Sequence, residues 1–207
     1  MSSTEEAAGA PGEARRARLG ERLKRLRKQN GWTLADVAAR SGLAISTISK
    51  VERGRMSLTY DKFTQLAAGL ELDVSDLFSA EGIAFVPGSV ALARRGEARR
   101  HETETYVYDM LFPTLRRKKM TPMMGRLKAH DVHAFTDFVR HPGEEFLLVL
   151  EGSVEVHMEG RAPVRLDPMD SLYFDSTLGH VYVSAGPQDA SILVVCTSPA
   201  LEDEADG

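Results

Sequence analysis

The hydrophobic period of this chain changes near residue 80, and that change limits it to a helical unit followed by a β unit. From Ala17 the apolar residues recur at helical intervals: Leu19, Leu23 and Leu26 in ARLGERLKRLRKQNG, with Asn30-Gly31 as the stop. TLADVAARSG follows, with Thr33 as N-cap, Asp36 spaced for a capping box, an apolar face of Leu34, Val37 and Ala38, and Gly42 as terminator. AISTISKVERG repeats the pattern with Ile48 and Val51 inward and Gly54 at the end. TYDKFTQLAAGLEL and DVSDLFSA predict two more short helices, which makes five. Beyond residue 80, SVEVHMEG alternates apolar and polar residues, FLLVL and ILVV are short continuous apolar runs, and glycine or proline punctuates them. The second half therefore reads as an antiparallel β domain, closed as a barrel or jelly roll.

The expected division is a disordered tail over 1–14, a helical domain over 15–79, a linker and first strand over 80–100, a β domain over 101–198 and an acidic tail over 199–207. Two domains suit 207 residues. Residues 15–62 carry thirteen Lys/Arg against four Asp/Glu, whereas residues 81–207 carry thirteen against twenty. The helical half can thus face a polyanion although the chain's net charge is −4. The single Cys196 excludes a disulfide framework and, inside SILVVCTS, reads as a buried thiol. No run approaches the roughly 18–20 apolar residues of a membrane span, and the N-terminus is acidic and small, so a cytoplasmic protein is expected.

Two short helices joined by SGL fit helix-turn-helix geometry, whose second helix enters the major groove of DNA. If Ile48 and Val51 face inward, Ile45, Ser46, Ser49, Lys50 and Arg53 face out. Ile45 suits a thymine methyl, Lys50 a guanine edge, and Ser46 a base or a phosphate. Thr33, Arg53, Arg55 and Tyr60 are candidates to hold the phosphate backbone. The stretch LGERLKRLRKQNGWTLADVAARSGLAISTISKVERGRMSLTYDKFTQLAAGLELDVSDLF resembles the Cro/repressor-like (XRE) helix-turn-helix family. That resemblance implies an ion pair between Arg27 and Glu52. Position 44 is alanine, where the family usually has a Ser or Thr cap.

In FVRHPGEEFLLVLEG, a Pro142-Gly143 turn between strands aims His141 and Glu145 into one barrel mouth, and His180 can approach from an opposing strand. Residues 120–197 resemble the cupin family: His141, Glu145 and Gly152 match its first motif and His180 its second. The first histidine of the motif is replaced by Val139, Gly179 stands where proline is common, and Ser184 replaces the usual asparagine. Two imidazoles and a carboxylate would suit zinc or ferrous iron. The alternative is that His141 and Glu145 bond to each other or to a ligand inside the barrel, with no cofactor required. Tyr173, Tyr182, Phe138 and Met124 are candidates to line an effector pocket, although aromatic residues in a small barrel are more often core. His130 and His133 read as exposed loop residues, and His157 as a strand-surface residue. Glu144 and Glu145, adjacent on a strand, point to opposite faces and cannot share a site. No G-x-S-x-G elbow or phosphate loop is present to support nucleophilic catalysis or phosphoryl transfer.

Over residues 18–198 the chain resembles bacterial regulators that fuse an all-α, five-helix DNA-binding domain to an all-β cupin sensor. The resemblance implies a transcriptional regulator, more commonly a repressor, that is not an enzyme. Its partners would be a double-stranded DNA operator, a small-molecule effector and a second copy of the chain in a homodimer. The alternative is a metal-dependent cupin enzyme, a dioxygenase or isomerase, fused to an autoregulatory DNA-binding domain.

Overall fold

Leu19, Leu23 and Leu26 form one buried stripe on α1 (Ala10–Gln29), around which the helical unit assembles. The computed structural model describes residues 10–72, 74, 77 and 82–197, and the chain divides into two units, Met1–Gly82 and Ile83–Gly207. α1 starts at Ala10, so the last five residues of the segment 1–14, expected to be disordered, are helical. Pro11 sits in the first turn, where its missing N–H breaks no helical bond. The acidic tail expected over 199–207 lies outside the described residues.

Three helices follow: α2 (Leu34–Ser41), α3 (Ile45–Glu52) and α4 (Tyr60–Gly69). The fifth expected helix, DVSDLFSA, falls largely outside the described residues, though Val74 and Leu77 within it are helical. Thr33 and Asp36 close the capping box, each side chain accepting the other's backbone N–H at 3.1 and 2.7 Å. Gly42 ends α2 at φ 69°, its N–H bonded to Ala38 O. Ala44 at the N-cap of α3 makes no side-chain cap bond, as its missing hydroxyl requires. Val37, Ile48, Val51, Phe63 and Leu66 complete the core with the α1 leucines.

Gly20 is where α1 meets α3. A β-carbon there would stand 2.7 Å from Glu52 O and closer still to Val51 O, both backbone atoms that cannot swing aside. Gly20→Ala should therefore force the helices apart and cost about 1–3 kcal/mol, read as a lower thermal midpoint for the unit containing Trp32.

Among its described residues the second unit is built of β-strands, with one 3-10 turn at Val132–Ala134. Its strands are β1 (Ile83–Ala84), β2 (Arg99–Glu102), β3 (Tyr106–Met110), β4 (Leu115–Arg116), β5 (Met120–Leu127), β6 (Glu144–Glu151), β7 (Val154–Met158), β8 (Val164–Leu166), β9 (Ser171–Asp175), β10 (His180–Ser184) and β11 (Ala190–Thr197). A six-stranded sheet runs β2-β3-β5-β11-β6-β9, a three-stranded sheet β10-β7-β8, and β1 pairs with β4 in parallel. The two larger sheets are antiparallel, and alternation sends Met123, Leu127, Leu147, Val149, Ile192 and Val194 inward. They meet where Tyr106 Oη donates to Tyr182 O (3.0 Å) and accepts the Tyr182 N–H (2.8 Å). Among the described residues, no helix is long and apolar enough to cross a membrane.

Candidate functional site

In the helical unit the outward face of α3 carries Ile45, 50% exposed, with Ser46 and Lys50 also exposed and Ser49 half-buried. Arg53 and Arg55 are exposed just beyond the helix, and Arg53 Nε donates to Ser49 O at 3.0 Å. Thr33 is exposed at the start of α2. Tyr60 corrects the sequence reading: it is 7% exposed, because at the first position of α4 it shares a face with Phe63 three residues on, and that face is core.

α3 is held from behind. Arg27 on α1 donates from Nε and Nη2 to the two carboxylate oxygens of Glu52, at 2.6 and 3.0 Å, and from Nη1 to Trp32 O at 3.0 Å. The hydrogen bond to Glu52 raises the guanidinium's affinity for its proton, against the opposing effect of burial. A fork of this kind fixes both distance and angle between two helices, which a single lysine bond could not do.

In the β unit five side chains converge. His141 follows the bridge that ties Val139 to His180, with backbone bonds of 3.0 Å in each direction. Gly143, at φ 105°, turns the chain into β6 and places Glu145 inward. His180 and Tyr182 come from β10, and Cys196 from β11, where it lies opposite Glu145 in register. All five are at most 4% exposed.

Glu145 Oε2 is the meeting point. It lies 2.9 Å from His141 Nε2, 3.5 Å from His180 Nε2 and 3.5 Å from Cys196 Sγ. Oε1 accepts the Tyr182 hydroxyl. Burial pushes the Glu145 carboxyl toward protonation, but the hydrogen bonds and charges of His141 and His180 outweigh it and hold the group well below the usual carboxylate range. Burial first, then the Glu145 charge, pushes the Tyr182 phenol well above its ordinary value, so it stays a donor. His180 Nδ1 lies 2.8 Å from Leu178 O, and His141 Nδ1 lies 3.4 Å from Pro142 O. With each Nδ1 turned to a backbone carbonyl, both Nε2 atoms face the carboxylate, the orientation seen in metal-binding histidines. His141, Glu145 and Cys196 offer ligand atoms all within 4.8 Å of one another.

Two expected pocket residues lie elsewhere. Met124 is 37% exposed on the outer side of β5, with Met123 inward in its place, and Tyr173 is 63% exposed on β9, bonded to Glu144. Phe138 is half-buried beside Gly179, where a β-carbon would come within 2.9 Å of Phe138 Cβ. His130 is exposed, bridging Gly186 O and Asp189, and His133 is exposed. His157 is partly covered and pairs with Glu155 at 2.7 Å. Cys196 is the member of the centre that sequence reading left out. Inward alternation from Ile192 and Val194 signalled its burial but not its neighbours.

Comparison with known proteins agrees with both halves. The family model for a helix-turn-helix domain matches residues 18–77, and that for a cupin domain matches residues 131–196. The HTH-type transcriptional regulator DdrOP3 of Deinococcus deserti is 34% identical over 68 residues, 33% of this chain and 51% of that protein. The chain thus spans about half the length of that curated relative. Among solved structures, an HTH_3 family transcriptional regulator from Vibrio cholerae is similar, with a TM-score of 0.61, 20% identity, and coverage of 91% of this chain and 99% of that one. The structure of FeII HppE has a TM-score of 0.50, 22% identity, and coverage of 88% and 99%. These likenesses concern the fold. The chain joins a Cro/repressor-like (XRE) helix-turn-helix domain to a cupin domain.

Proposed function

We propose that this protein is a sequence-specific DNA-binding transcriptional regulator, a repressor, whose cupin domain is the sensing part. The observation that carries this reading is α3, which presents Ile45, Ser46 and Lys50 to solvent while Arg27 and Glu52 lock its back. Ile45, Ser46, Ser49 and Lys50 read bases, and Thr33, Arg53 and Arg55 hold phosphates. One recognition helix reads few base pairs, so the operator is a pseudo-palindrome with half-sites about one helical turn apart, bound by a homodimer. The outer face of the six-stranded sheet supports the second copy as its occupant. Met124, Leu193 and Leu148 form one apolar row across β5, β11 and β6, and Pro122, Val195, Phe146 and Tyr173 form the next. The protein works in the cytoplasm on double-stranded DNA, and DNA binding requires no cofactor. Occupancy of the cupin centre by an effector shifts operator affinity, and the operator shifts effector affinity by the same factor.

Lys50 and Arg55 separate base reading from phosphate holding. Lys50→Ala should cost about 1–3 kcal/mol at one base position and relax preference there, whereas Arg55→Ala should weaken all sequences alike and lower the salt slope by about one. Titration of both variants on operator and random duplex checks this; equal loss on both duplexes for Lys50→Ala removes it from base recognition.

A second reading, a cupin dioxygenase or isomerase with an autoregulatory DNA-binding domain, draws on the convergence of His141, Glu145 and His180. Turnover needs a position open to substrate. All three side chains are nearly fully buried, and turnover by the metal-loaded protein that Glu145→Ala abolishes would decide for this second reading.

A further inference from the structure

We infer that Cys196 is a metal ligand, its thiolate supplying the donor that Val139 does not, in a site of His141, Glu145, His180 and Cys196 that takes a zinc-class divalent ion. The inference deepens the reading of the cupin centre as the sensing site and leaves the DNA-binding face untouched.

Three observations carry it. The first is position: β11 pairs with β6 so that Cys196 stands directly opposite Glu145, and alternation sends both side chains inward. The second is spacing. Zinc–sulfur and zinc–nitrogen bonds of about 2.3 and 2.0 Å in a tetrahedron put neighbouring donors about 3.3–3.5 Å apart. The contacts here are 2.9 Å for His141–Glu145, 3.5 Å for His180–Glu145, 3.5 Å for Cys196–Glu145 and 4.0 Å for Cys196–His141. The three distances among His141, Glu145 and Cys196 bracket the tetrahedral edge, whereas His180 stands outside that trio and has to move in to complete the shell. His141, Glu145 and Cys196 form the tight trio, and His180 joins it through Glu145.

The third observation is charge and orientation in a buried place. Two imidazole Nε2 atoms and a thiol crowd one carboxylate oxygen, all nearly excluded from water. A divalent cation at their focus meets both lone pairs and both anions, and two anionic ligands cancel its charge, so the buried centre stays neutral. On binding, the sulfur–metal bond forms, the Cys196 thiol proton leaves to solvent, and any proton on His141 or His180 Nε2 leaves with it. Thiolate with imidazole selects zinc over magnesium or calcium. Four protein donors fill a tetrahedron, so no position is left for a substrate.

The test uses cobalt(II) as a spectroscopic stand-in for zinc, on full-length protein stripped with chelator and reloaded, and also on protein produced in cobalt-supplemented medium. The second preparation covers the case in which stripping unfolds the chain. One cobalt per chain by elemental analysis is expected, with tetrahedral visible bands and a thiolate-to-cobalt charge-transfer band in the near ultraviolet. Cys196→Ser should abolish the charge-transfer band and weaken metal binding by about 100-fold, one ligand's share of a four-ligand site. His130→Ala, at an exposed histidine, should change neither. Cobalt bound without the charge-transfer band, or a Cys196→Ser protein with unchanged affinity, overturns the thiolate assignment. No metal in either preparation overturns the site altogether, while operator binding by the helical domain, measured separately, would still stand.

Discussion

Replacing Arg27 with alanine should lower the stability of the helical domain by about 3–5 kcal/mol, the cost of stranding one partner of a buried ion pair. The side chain of Glu52 is only 7% exposed, and its carboxylate receives two N–H bonds from Arg27. In the variant that carboxylate loses both bonds while buried, and Trp32 O loses the bond from Nη1. A domain of this size holds roughly 5–15 kcal/mol in total, so the loss takes a large share of it. Trp32 is the single tryptophan, so its fluorescence during urea unfolding follows the helical domain without interference from the β domain. Replacing both partners, Arg27→Met with Glu52→Leu, should recover most of the loss, because no charge is then buried alone. A loss below about 1 kcal/mol for Arg27→Ala would mean that the pair behaves as an exposed salt bridge and does not fix α3.

Glu145→Ala should cost the β domain a comparable amount, about 3–5 kcal/mol, when measured in chelator so that metal binding does not contribute. The substitution leaves a void and removes the acceptor of His141, Tyr182 and Cys196 together, in a place with almost no water access. Glu145→Gln keeps the volume and one carbonyl acceptor, and should lose less, about 1–3 kcal/mol. Tyrosine absorbance, dominated by the β-domain residues Tyr106, Tyr108, Tyr173 and Tyr182, reads the transition. If Glu145→Ala stays within about 0.5 kcal/mol of the parent chain, the centre is wetter and looser than its burial indicates.

The helical half was largely legible in the sequence because its signals are local. Capping box, glycine stop and leucine stripe each lie within a few residues of what they specify, and the outward set on α3 follows from the inward pair Ile48 and Val51. Tyr60 is ambiguous in the sequence because an aromatic residue at a helix start can turn either way, and only the position of Phe63 against the core places it inward. The start of α1 is less legible: the Ala- and Gly-rich stretch before Ala17 carries no apolar period, yet α1 reaches back to Ala10.

The β half was legible in class but not in parity. A shift of one residue along a strand exchanges its two faces, so Met123-Met124 gives no way to choose which methionine enters the barrel. Tyr173 lies between Leu172 and Phe174, and the strand turns those neighbours in and the tyrosine out. Cys196 shows the other limit. Its burial follows from alternation, but its place beside Glu145, 51 residues earlier, depends on the pairing of β11 with β6, which no local pattern encodes.

Regulation of transcription by this protein rests on sequence-specific DNA binding through α3. Selection of bound fragments from a random duplex pool, followed by titration of the winner and of random DNA at fixed salt, tests it most directly. One pseudo-palindromic motif with half-sites about one helical turn apart is expected, bound at least about 1,000-fold tighter than random duplex. Lys50→Ala should change the preferred base at one position of each half-site. Enrichment of no motif, with equal affinity for every duplex, would contradict it.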